Sequence, residues 1–89
     1  MSESQNIEYK SIWKDEYLKW ICGFANAQGG TIFIGKDDNG DVVGVKDSKK
    51  LLEDLPNKIT TVLGIVADVN LHETADGDFI EIVVEPQPN

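Results

Sequence analysis

The stretch FANAQGGTIFIGKDDNG, residues 24–40, joins a helical pattern to an apolar strand through two adjacent glycines, then ends in paired aspartates before a turn. Gly29-Gly30 has two readings. A helix that stops and turns straight into a strand needs a residue at positive φ, which glycine adopts without a Cβ penalty. The same missing Cβ allows close approach of a ligand or a nucleic-acid backbone. Asp37-Asp38 is double in the same way. Acids before Asn39-Gly40 are turn formers, and paired carboxylates are also hard oxygen ligands for a divalent cation. A phosphate loop is excluded, because GxxxxGK[ST] runs from strand to helix and the polarity here is helix to strand. The dinucleotide fingerprint GxGxxG is absent too.

The same stretch organises its surroundings. Ahead of it, Ile7 to Ile12 reads as a short strand, with Ile7 and Tyr9 on one face and Glu8 and Lys10 on the other. Asp15 is placed as an N-cap, and Glu16 to Gln28 sets Tyr17, Trp20, Ile21 and Phe24 at helical spacing, widened by Leu18 and Ala25. After it, Thr31 to Gly35 is a strand and Val42 to Val45 the return strand of a hairpin. Asp47 or Ser48 caps a second helix. Pro56 predicts a break near Leu55, followed by a third helical segment that Gly64 stops. Ile65 to His72 and Phe79 to Glu85 are strands around the turn Ala75-Asp76-Gly77-Asp78, with Ile80, Ile82 and Val84 on one face. The order β-α-β-β-α-β-β predicts one α+β domain spanning residues 1–89, a mixed sheet with helices packed on one side.

Composition narrows the class. A chain of 89 residues, 40% hydrophobic and 27% charged, is one small domain with a modest core. No apolar run reaches the roughly 20 residues of a membrane helix, and the N-terminus has no signal-peptide pattern. These features predict a cytoplasmic protein without a membrane partner. The single Cys22 excludes an internal disulfide and reads as a buried structural thiol on the first helix. Net charge is −8 and every basic residue is a lysine. That weighs against nucleic acid, since phosphate neutralisation drives non-specific affinity and arginine forks are missing.

Two sets of residues can carry chemistry. Glu3 and Glu8 flank the first strand while Asp37 and Asp38 end another. Gathered at one sheet edge they would hold Mg²⁺ or Mn²⁺, with Lys10 contacting a scissile phosphate. Solvated surface acids and turn formers are the plainer reading of the same residues. Lys46, Lys49 and Lys50 cluster at the start of the second helix, where backbone N–H donors add to a phosphate-contact patch, or form only a solvated face. His72, the one imidazole, supports no catalytic triad.

Three pieces together resemble one family. ExxxxE[FY]K stands here as Glu3 through Glu8-Tyr9-Lys10. Cys22 and the Phe24-Ala25-Asn26 segment lead through Gly29-Gly30 and Ile34-Gly35 to Asp37-Asp38-Asn39-Gly40, and Val42-Val43-Gly44-Val45 follows. The chain is similar to the Schlafen AlbA-type domain, a DNA-binding module of bacterial proteins catalogued as transcriptional regulators or as helicase-related or ATP-binding proteins. The resemblance implies an AlbA-like fold and DNA ahead of RNA as the partner, contacted through Lys10, Gly29, Gly30, Lys46, Lys49 and Lys50. Animal Schlafen proteins cleave tRNA and rRNA with two glutamates of the first piece and a later aspartate. By that route Glu3, Glu8 and Asp37 or Asp38, with Lys10, become nuclease residues using Mg²⁺ or Mn²⁺. Family members continue beyond the Glu85-Pro86-Gln87-Pro88-Asn89 end, so the domain is expected to be truncated there and to belong with further domains. Three functions follow in order: a non-catalytic nucleic-acid-binding module of a transcriptional-regulator-like protein, a metal-dependent endoribonuclease, and a protein-association domain forming a homo-oligomer.

Overall fold

Alternation builds the sheet. In Gly30–Ile34 and Gly77–Val84 isoleucine or valine recurs at alternate positions, and Ile32, Ile34, Ile80, Ile82 and Val84 are all buried on one face. The computed structural model describes residues 6–88. Strands β1 (Ile7–Lys10), β2 (Gly30–Ile34), β3 (Asp68–Thr74) and β4 (Gly77–Val84) lie in the order β1-β2-β4-β3. β1 and β2 run parallel, which requires the crossover through helix α1 (Leu18–Ala25). β4 pairs antiparallel with both β2 and β3.

Both helices cover the isoleucine face. Ile21, Phe24 and Ala25 of α1 fall at helical spacing and are buried. On α2 (Ser48–Leu63), Leu51, Leu52, Leu55, Ile59 and Leu63 form the matching stripe. The expected architecture, a mixed sheet with helices on one side, holds. No described helix is long and apolar enough to cross a membrane.

Several local expectations are corrected. Val42 to Val45 forms no return strand, and only the isolated bridge between Lys36 and Val42 remains. Both edges of β2 are taken, by β1 and β4, so a further strand has nowhere to pair. The segment turns instead: Val43 and Gly44 both donate N–H groups to the Gly35 carbonyl, and Val45 donates to Asp78. The element order is therefore β-α-β-α-β-β. Nor does the helix break near Leu55, for α2 runs unbroken through Pro56. An interior proline costs about 3 kcal/mol. Leu55 and Ile59 on either side are fully buried, contributing roughly 1.5–3 kcal/mol each, so packing holds the helix together. Gly64 does stop it, at φ 71°, with its N–H on the Thr60 carbonyl.

Around α1 the boundaries also differ. Asp15 opens a short 3-10 turn rather than capping, and its carboxylate accepts from Trp13 Nε1 at 2.7 Å and from Lys58 Nζ at 2.9 Å. Trp20 lies at the rim of the helical stripe, 37% exposed, and Cys22 points outward rather than into the core. Asp47 does occupy the N-cap position of α2, in a left-handed conformation, but its side chain makes no cap bond. The buried Ser48 hydroxyl donates to Asp78 Oδ2 at 2.7 Å, tying α2 to the start of β4.

Candidate nucleic-acid interface

The glycine pair is packed on both sides. Gly29 has φ 85° and its N–H donates to the Phe24 carbonyl at 2.8 Å, closing the helix end. A Cβ on Gly29 would lie 2.6 Å from the Val84 carbonyl oxygen. One on Gly30 would lie 2.7 Å from the Asn6 carbonyl oxygen and from the Phe24 ring. The space a side chain would fill is occupied by the protein's own backbone and core. Turn geometry with close packing accounts for Gly29, and close packing alone for Gly30.

The proposed carboxylates sit in different surroundings. Glu3 lies outside the described residues. Glu8 and Lys10 share the helix-side face of β1, with Nζ 3.9 Å from Oε1. The Lys10 ammonium lodges 5.0 Å from the Tyr17 ring centre and 5.7 Å from that of Trp20. Glu8 is in register with Ile32 inside the sheet, whereas Asp37 lies beyond the end of β2 at Ile34, past the bend at Gly35. Asp37 Oδ1 accepts the backbone N–H groups of Asn39 at 2.9 Å and Asp41 at 3.0 Å, so this oxygen closes the turn. Asp38 is exposed beside it. Among the described residues no three His, Cys, Asp or Glu side chains are grouped as a metal site.

The lysines at the start of α2 are exposed, and Lys50 is drawn back to Asp54 at 3.1 Å, one helical turn on. That hydrogen bond raises the Lys50 pKa above its ordinary 10.5. Lys58 is likewise held by Asp15. Of the patch, Lys46 and Lys49 keep their ammonium groups outside any carboxylate pair among the described residues.

Among the described residues no helix covers the opposite face of the sheet, and there the four strands each contribute one ring. Tyr9 of β1 stacks on Phe33 of β2 with centroids 5.6 Å apart. Phe33 meets Phe79 of β4 edge-on at 6.0 Å, and Phe79 stacks on His72 of β3 at 4.7 Å with planes 10° apart. The ring spacings lie in the range at which aromatic pairs attract. Over the row lies the Lys36 ammonium, 4.1 Å from the Phe33 centroid and 4.4 Å from that of Phe79, within cation–π reach. Glu81 flanks the row, facing His72 Nε2 at 3.1 Å and accepting from Asn70 at 3.4 Å. At the Tyr9 end the turn Asp37 to Gly40 closes in, since a Cβ on Gly40 would lie 3.1 Å from the Tyr9 ring.

Sequence reasoning missed this row. Its signal was present in Ile32-Phe33-Ile34 and Phe79-Ile80-Glu81-Ile82, where an aromatic residue occupies the solvent phase of an alternating strand. That the four rings align depends on strand order and register, and neither is local.

A family model described as Schlafen, AlbA_2 matches residues 3–89. Among solved structures, the chain is similar to the DIP2311 protein of Corynebacterium diphtheriae, with TM-score 0.77 and 17% identity, covering 100% of this chain and 19% of that one. It is also similar to the N-terminal domain of a protein from Nitrosomonas europaea named as related to the ATP-dependent DNA helicase RecG. There the TM-score is 0.69 and the identity 21%, covering 97% of this chain and 66% of the other. At these identities the structures establish a shared fold.

Proposed function

The chain belongs to the Schlafen AlbA_2 family, and from that premise we propose that it is a non-catalytic nucleic-acid-binding module, DNA ahead of RNA, of a larger transcription-related protein. The observation that carries this reading is the row Tyr9, Phe33, Phe79 and His72 on the sheet face opposite α1 and α2, with the Lys36 ammonium over it. Rings beside a cation match the two constituents of a nucleotide chain, the base and its phosphate. Lys46 and Lys49 supply further phosphate contacts at the start of α2. In the reducing cytoplasm the exposed Cys22 stays a thiol.

Anisotropy of labelled DNA and RNA titrated with the chain tests the reading. Binding is expected, and it should weaken with salt by a log–log slope of about 0.7–0.9 for each phosphate neutralised. The reading is overturned if no DNA or RNA shifts the anisotropy, or if affinity stays constant across a tenfold salt range.

A further inference from the structure

We propose that the aromatic row is a stacking platform for unpaired bases, so that the domain takes single-stranded rather than duplex nucleic acid. This inference rests on the nucleic-acid reading and specifies its ligand.

Electrostatics give the first argument. At net charge −8 the domain repels a polyanion. Among the described residues, Lys10, Lys50 and Lys58 are within ion-pair distance of carboxylates. A duplex hides its base faces and offers a protein mainly phosphates and groove edges, the parts this chain is least equipped to hold. An unpaired strand carries phosphates too, but it also offers π-faces, and each stacked base adds affinity that needs no further cation.

Geometry gives the second. The rings come from all four strands of a hydrogen-bonded sheet, so their positions are set before any ligand arrives. Tyr9, Phe33 and Phe79 are half-buried and His72 is exposed, leaving ring surface in contact with solvent. The Lys36 ammonium now covers Phe33 and Phe79. A stacking base displaces it, and the freed cation then meets the adjoining phosphate. Glu81 and Asn70 stand beside the row with groups able to bond base edges. A second copy of this chain is a poor occupant, because pairing two such faces sets Glu81 and Asp68 of one against those of the other, on two bodies of the same net charge.

The test titrates the 89-residue chain against labelled oligothymidylate, oligouridylate and a mixed-sequence duplex. Single strands are expected to bind about tenfold or more tightly than duplex. Phe33→Leu and Phe79→Leu keep an apolar side chain on the sheet but remove the π-face, and each should weaken single-strand binding by roughly tenfold with an unchanged circular dichroism spectrum. Lys36→Met should lower the single-strand salt slope by about 0.7. If the duplex binds as tightly as the single strand, or if both leucine variants bind like wild type, the platform is wrong while the nucleic-acid reading survives. If nothing binds, both fall. Sedimentation of a dimer that Phe33→Leu dissociates, with no oligonucleotide bound, would assign the face to a second copy and overturn the proposal.

Discussion

Adding one methyl group at each of three glycines distinguishes backbone geometry from a ligand cradle. Gly23 lies inside α1, where a Cβ would meet nothing within 4 Å. Gly23→Ala should therefore stabilise the fold by about 1 kcal/mol, the difference in helix propensity. Gly64 also has open space around it but sits at φ 71°. Gly64→Ala should cost about 1–2 kcal/mol, the left-handed penalty alone. Gly29 has a similar φ of 85°, and in addition its Cβ would meet the Val84 carbonyl oxygen at 2.6 Å and Pro86 Cδ at 3.0 Å. Val84 pairs with Gly30 in the β2–β4 ladder, so it cannot retreat without disturbing the sheet. Overpacking of this kind adds roughly 1–3 kcal/mol, bringing Gly29→Ala to about 2–5 kcal/mol in all. For a domain of this size each kcal/mol moves Tm by about 4–8 °C. Thermal and urea denaturation followed by circular dichroism would order the variants Gly23→Ala, wild type, Gly64→Ala, Gly29→Ala from most to least stable. Equal stability of the Gly29 and Gly64 variants would refute the steric argument. A Gly29→Ala protein of wild-type stability that had lost nucleic-acid binding would return the glycines to the ligand.

Three further outcomes are expected. Pro56→Ala restores a backbone donor inside α2, and urea unfolding should show a gain of about 2–2.5 kcal/mol, the helix penalty less the proline's restriction of the unfolded chain; a loss would mean that the ring itself packs favourably. Hydrogen bonds from Lys58 and Trp13 hold the Asp15 carboxyl below its ordinary 3.8. A depressed folded pKa gives stability that is present above that value and disappears as pH falls through the lower, folded one. Asp15→Asn should therefore flatten the acid limb of the urea midpoint below about pH 4, and identical limbs in the two proteins would show the bonds to be without effect. Labelled tRNA incubated with the chain and Mn²⁺ should stay intact, in keeping with a binding module; Mn²⁺-dependent cleavage abolished by Glu8→Gln would establish the metal-nuclease reading in its place.

Much of this molecule is legible in local pattern. Period-two alternation placed Ile80, Ile82 and Val84 on a buried face, and the helical spacing of Ile21, Phe24 and Ala25 marked the inner side of α1. Gly29 and Gly64 marked two helix ends because left-handed geometry selects glycine whatever surrounds it. Where tertiary partners outweighed local preference, local reading erred. Burial of Leu55 and Ile59 carried α2 through Pro56, and occupied strand edges denied Val42 to Val45 a ladder. FANAQGGTIFIGKDDNG divides along the same line. Its glycines and Asp37 serve the turns on either side of β2, as their chemistry alone suggests. The meaning of Phe33 and Lys36 between them depended on Tyr9, Phe79 and His72 arriving from three other strands. Local sequence determines which way a side chain leaves its own strand, but only strand order and register decide which rings become its neighbours.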